Sequence, residues 1–111
     1  MMYSKERSSI VLDLFGNHPK ARILDFFIDN PYLDFSMAEA IKELRMSKRT
    51  FYKYFKELVD SNIVVQTRKI GRAKLYRINL EHPAVKLIYK LIAEIGMKDA
   101  EKALKEMQVK V

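Results

Sequence analysis

The chain has no cysteine, which excludes disulfides and thiolate metal sites together. It has only three glycines, and they form no glycine-rich phosphate loop. Its two histidines, His18 and His82, each precede a proline where a helix is expected to start. Capping or solvent exposure is expected of them, not metal binding. Asp13, Asp25, Asp29 and Asp34 stand at irregular spacings and make no carboxylate pair suited to acid–base work. No apolar run approaches the roughly 20 residues that span a bilayer. No apolar signal core follows the mixed-charge start Met1-Met2-Tyr3-Ser4-Lys5-Glu6-Arg7. There is no internal repeat and no low-complexity tract. Neither an enzyme, a cofactor, a metal nor a membrane partner is therefore expected.

What the chain does have is positive charge, and the charge is concentrated. The 111 residues carry a net charge of +7 and a pI near 9.6, with 49% apolar residues, enough for one domain with a core. Between Lys42 and Arg77 there are eleven Lys/Arg and three Asp/Glu, a local net charge of +8. A strongly basic stretch favours a polyanionic partner, and charge alone leaves DNA, RNA and an acidic membrane surface open.

The periodicity beneath the charge narrows the choice. Residues 8–15 are apolar and end at Gly16-Asn17, a short strand or a helical turn. Pro19 suits the first turn of a helix with apolar positions Ala21, Ile23, Leu24, Phe27 and Ile28, and Asn30-Pro31 stops it. Ser36-Met37-Ala38-Glu39 has the capping-box spacing and opens a short helix over Met37, Ile41 and Leu44. Arg45-Met46 is a tight link to a second N-cap at Ser47. The stripe of the next helix is Phe51, Phe55, Leu58 and Val59, and Asn62 is placed to end it in a left-handed conformation. From Ile63 the period changes to two. Two alternating runs around Ile70-Gly71-Arg72 read as a β-hairpin. Pro83 starts a last helix with the stripe Val85, Ile88, Ile92 and Ile95, then Ala100, Ala103 and Met107, and Gly96 is a place where it could kink.

With Phe51, Phe55 and Leu58 inward, Lys48, Arg49, Tyr52, Lys53 and Lys56 share the outward arc of their helix. A short helix, a tight turn and a longer basic helix followed by a hairpin is a helix-turn-helix with a wing. Ser47-Lys48-Arg49-Thr50-Phe51, then Phe55, Leu58 and Asn62-Ile63-Val64, with the hairpin Arg68–Arg77, resemble an archaeal winged helix-turn-helix transcription regulator. The features are shared by the wider arsenic-repressor-like and multiple-antibiotic-resistance-regulator-like superfamily. Asn62 stands where those families usually have glycine. The resemblance is strongest from Pro31 to Leu80. It implies a mostly α fold with a small β-hairpin (α+β), a winged helix-turn-helix with a C-terminal dimerisation helix. The division expected is an N-terminal segment at 1–17, packing on the domain or on a partner copy, a winged-helix domain at 18–80, and a C-terminal helix at 81–111.

The DNA-binding residues expected on this basis are Ser36, Ser47, Lys48, Arg49, Thr50, Tyr52, Lys53 and Lys56, with Lys69, Arg72 and Lys74 on the wing. The dimerisation residues expected are Ile88, Ile92, Ile95, Ala100, Ala103 and Met107. The partners expected are a second copy and double-stranded DNA with a pseudo-palindromic site, for a cytoplasmic, nucleoid-associated repressor or autoregulator. An architectural or segregation protein that coats DNA would use the same surface. RNA is disfavoured, because a helix cannot read the deep, narrow A-form major groove. A thiolate sensor is impossible here, and the sequence shows no pocket for a small-molecule effector.

Overall fold

The computed structural model describes residues 9–95 of the chain. The order is α1 (Ile10–Phe15), α2 (Pro19–Asp29), β1 (Phe35–Ser36), α3 (Met37–Leu44), α4 (Lys48–Asp60), β2 (Val64–Ile70) and β3 (Ala73–Ile78). A last helix, α5, begins at 83 and runs to 95, where the described residues end.

The caps follow the sequence closely. His18 caps α2, its Nδ1 accepting from the Lys20 amide at 3.1 Å, and His82 caps α5 in the same way from the Ala84 amide at 3.0 Å. In the capping box of α3, Ser36 Oγ accepts from Glu39 N at 3.1 Å and Glu39 Oε1 from Ser36 N at 2.9 Å. Both α3 and α4 end with a left-handed residue. At α3 it is Arg45 (φ 52) and at α4 it is Asn62 (φ 63). Each helix closes with a pair of reversed amide bonds, Met46 N to Ile41 O and Ile63 N to Leu58 O being the outer ones. Of the apolar segment at 8–15, open between strand and helix in sequence, Ile10–Phe15 is helical. Ser9 caps it, and its hydroxyl also donates to the Asp25 carboxylate.

The sheet has three antiparallel strands in the order β1-β3-β2. The hairpin β2–β3 turns at Gly71, whose φ of 59 is positive while that of Arg72 is not. Positive φ at the first loop position alone is the type II′ pattern, which glycine adopts without strain. β2 carries a bulge: Gln66 pairs with Tyr76 but Arg68 pairs with Leu75, leaving Thr67 as the extra residue.

The core lies where α2, α3, α4 and the base of the sheet meet. Ile23, Phe26, Phe27, Phe35, Leu44, Phe51, Leu58, Val64 and Ile78 are buried there. Phe55 stacks on Phe51 with centroids 4.9 Å apart and meets Tyr76 edge-on at 4.9 Å. Such ring pairs contribute about 0.5–1.5 kcal/mol each beyond their buried area. They fix how α4 is rotated about its own axis. Val85 of α5 is buried in the same core, and Tyr89 donates to the Ile28 carbonyl at 2.6 Å.

Candidate nucleic-acid interface

α4 is amphipathic as its spacing predicts. Phe51, Phe55 and Leu58 are buried, and Lys48, Arg49, Tyr52, Lys53 and Lys56 are all exposed. At its start Ser47 Oγ accepts from Thr50 N at 3.2 Å and donates to Thr50 Oγ1 at 2.8 Å. The cap leaves the amides of Lys48 and Arg49 without an intrahelical partner, as helix geometry requires of a first turn. The Lys48 ammonium lies over the Tyr52 ring, 5.5 Å from its centroid, and Lys53 lies 5.2 Å from that of Tyr54. Among the described residues Arg49 has no intramolecular partner. Lys56 has one: it pairs with Asp60 one turn on, at 2.9 Å, and this carboxylate raises its pKa. Tyr54 packs edge-on against His18, centroids 4.8 Å apart, on the α2 side.

The hairpin places Lys69, Ile70, Gly71, Arg72 and Lys74 at its exposed end. Lys69 and Lys74 are direct cross-strand partners. Two like charges opposite one another destabilise a ladder. An anion seated between them would remove that cost. Lys69, Arg72 and Lys74 have no intramolecular partner among the described residues.

Arg68, at the hairpin stem, behaves differently. Its Nε and Nη2 donate to the two carboxylate oxygens of Asp34 at 2.9 and 3.2 Å, and Thr67 Oγ1 donates to the same group at 2.7 Å. The Arg68 guanidinium, then the Thr67 hydroxyl, hold the Asp34 carboxyl down to about 2. In the sequence Asp34 reads only as one of several scattered acids. No local pattern could have revealed its role, since its partners lie 33 and 34 residues away.

Ser36 sits in β1 opposite Leu75 of the hairpin. Its hydroxyl takes the Glu39 amide, and the Glu39 carboxylate occupies the start of α3. A phosphate arriving there would meet that carboxylate as well as the helix amides.

On α5 the expected dimerisation residues divide. Ile88 and Ile92 pack against the chain's own core, whereas Ile95 is exposed. A domain this small needs the first turns of α5 to close its core over Val85, and that requirement turns Ile88 and Ile92 inward. The face left outside is Leu87, Leu91 and Ile95, which are 66%, 39% and 37% exposed. Ala100, Ala103 and Met107 lie outside the described residues, as does Gly96.

The chain also has an apolar groove of about 270 Å³, lined by Phe15, Ala21, Leu24, Leu58 and Ile63, with His18 and Lys20. Among the described residues no group of three or more His, Cys, Asp or Glu could hold a metal ion, and no helix is long and apolar enough to cross a membrane.

Helix, short helix, tight turn, amphipathic helix and bulged hairpin form one connected frame. The fold is winged-helix-like. A solved structure from Methanosarcina mazei Go1, described as a possible transcriptional regulator, is similar to it, covering 94% of this chain and 93% of its own at 15% identity and a TM-score of 0.54. At that identity the likeness shows the fold. No protein-family model and no curated protein sequence matches the chain.

Proposed function

We propose that the chain binds double-stranded DNA and acts as a dimeric transcriptional repressor or autoregulator. The observation that carries this is the outward arc of α4. Its cations lie on a helix whose opposite face is locked into the core, beside a hairpin whose tip adds Lys69, Arg72 and Lys74, three cations without intramolecular partners among the described residues. The similar solved structure, described as a possible transcriptional regulator, supports a regulatory role.

α4 would lie in the major groove. Arg49 is the residue proposed to read guanine, because its fork can bond O6 and N7 together. Ser47, Thr50 and Tyr52 would contact backbone or a thymine methyl. Lys48 and Lys53 would position the helix on phosphates without specifying sequence. Lys56 would have to exchange Asp60 for a phosphate. Lys69 and Lys74 would share one phosphate, and Arg72 at the tip would enter the minor groove, where A·T-rich narrowing deepens the negative potential. Ser36 contributes little in this arrangement, given Glu39 beside it.

Dimerisation through α5 would set two copies of α4 about one helical turn, roughly 34 Å, apart on a pseudo-palindromic site. Occupying such a site occludes a promoter. A cytoplasmic, nucleoid-associated protein follows from this reading. The same surface would serve an architectural protein that spreads on DNA, and a footprint that lengthens with protein concentration would favour that alternative.

The test is selection of bound sites from random duplex DNA, followed by titration of Arg49→Ala on the selected site. Two half-sites are expected, with a loss of about 1–3 kcal/mol and a relaxed preference at one base pair for the variant. Equal affinity for Arg49→Ala and wild type would remove α4 from the major groove.

A further inference from the structure

The ladder alone does not join β1 to β2. β1 is two residues long and pairs only with β3, so β3 lies between the two outer strands. Asp34 stands one residue before β1, and its neighbour Phe35 is buried in the core. It is therefore a fixed post. From it, the carboxylate reaches past the middle strand to the bulge of β2 and takes three bonds there, two from Arg68 and one from Thr67. A bulge bends its strand and increases the local twist, so the direction of the hairpin beyond it is decided at this point. Beyond the bulge, residues 69–74 are all exposed, and none belongs to the core.

We propose that Asp34 is a positioning residue for the wing: it holds the bulge at Thr67 and Arg68, and so sets the angle at which the basic tip meets DNA. The inference rests on the DNA-binding reading above. An ordinary surface ion pair contributes little. This one differs in being bidentate, in having a third donor, and in leaving the Asp34 side chain only 18% exposed. It also commits Arg68, so the cations left for DNA at the wing tip are Lys69, Arg72 and Lys74.

Charge and position predict opposite signs, which makes the proposal decidable. An acid beside a DNA-binding hairpin repels phosphate. Removing it raises the net charge by one and should tighten binding on electrostatic grounds alone. If Asp34 positions the wing, removing it weakens binding, because the tip must then be ordered on association.

The experiment compares wild type, Asp34→Ala, Asp34→Glu, Arg68→Ala and the Asp34→Ala/Arg68→Ala pair on one duplex selected by the wild type. Titration is combined with hydroxyl-radical footprinting and with amide ¹⁵N order parameters for residues 69–74 of the free protein. Asp34→Ala is expected to bind roughly five- to tenfold more weakly despite its added charge. It should lose protection of the outer minor groove and keep the central protection. Order parameters at the tip should fall, Arg68→Ala should add no further loss, and Asp34→Glu should recover part of the affinity. Equal or tighter binding by Asp34→Ala, or protection lost evenly across the site, overturns the proposal. If the wild type binds no duplex, the DNA-binding reading fails, and the clamp is decided by the order parameters alone: tip values unchanged in Asp34→Ala overturn it.

Discussion

The guanidinium of Arg22 donates a hydrogen bond to the Leu44 carbonyl at 2.6 Å. Leu44 is the last residue of α3, where carbonyls lack helical partners and a cation is favoured. The bond ties α2 to the turn that delivers α4, so it joins the frame to the proposed reading helix. Arg22→Met keeps most of the stem and removes the donor. It should lower stability by about 1–3 kcal/mol, since a partly buried carbonyl is left unmet. Urea denaturation measures this, and a midpoint equal to that of wild type would show that water satisfies the carbonyl instead.

Tyr89 gives a test at high pH. Its phenol donates to the Ile28 carbonyl, and burial, reinforced by Tyr32 and Asp29, pushes its pKa from 10.0 to about 12. The folded chain keeps this proton while the unfolded chain releases it near 10. The stabilisation is therefore complete below pH 10 and is lost as the pH rises toward 12. Tyr89→Phe should show a flatter decline over that window, and at neutral pH it should be less stable by about 1 kcal/mol for the missing hydrogen bond. Urea midpoints measured from pH 9 to pH 12 distinguish the two. Parallel declines would remove Tyr89 as the source.

The proposed dimer can be tested on α5 separately from folding. Leu87 and Leu91 lie outside the core, and Ile88 lies against it. Leu87→Lys with Leu91→Lys should leave the melting temperature of the domain almost unchanged and give a monomer by sedimentation velocity. Ile88→Lys should unfold the domain, because it places a charge against apolar residues. A double variant that still sediments as a dimer would locate the contact elsewhere.

The sequence showed most of the frame because most of it is local. His18-Pro19, Ser36 to Glu39, Ser47 and Asn62 are caps, and a cap is a short-range pattern. The arc of α4 was legible for a similar reason, since Phe51, Phe55 and Leu58 fix its phase. What stayed hidden depends on distant partners or on single residues. The two-residue strand β1 has no periodicity to detect. The bulge at Thr67 looks like ordinary alternation until β3 is laid beside it. Asp34 reads as a stray acid until the chain brings it to Arg68. On α5 the spacing reveals an apolar stripe but not which part of it the domain itself uses, and Ile88 and Ile92 pack against the chain's own core.

Phe55 lies between Phe51, Phe27 and Tyr76, and that contact has an evolutionary consequence. A turn of α4 by one residue, about 100°, would pull its rings out of the core, so the orientation of the helix cannot drift. The positions on its outer arc carry none of that burden. Exchanges among them should fall within about 0.5 kcal/mol in stability. Descendants of this chain can therefore vary that arc while inheriting the scaffold intact.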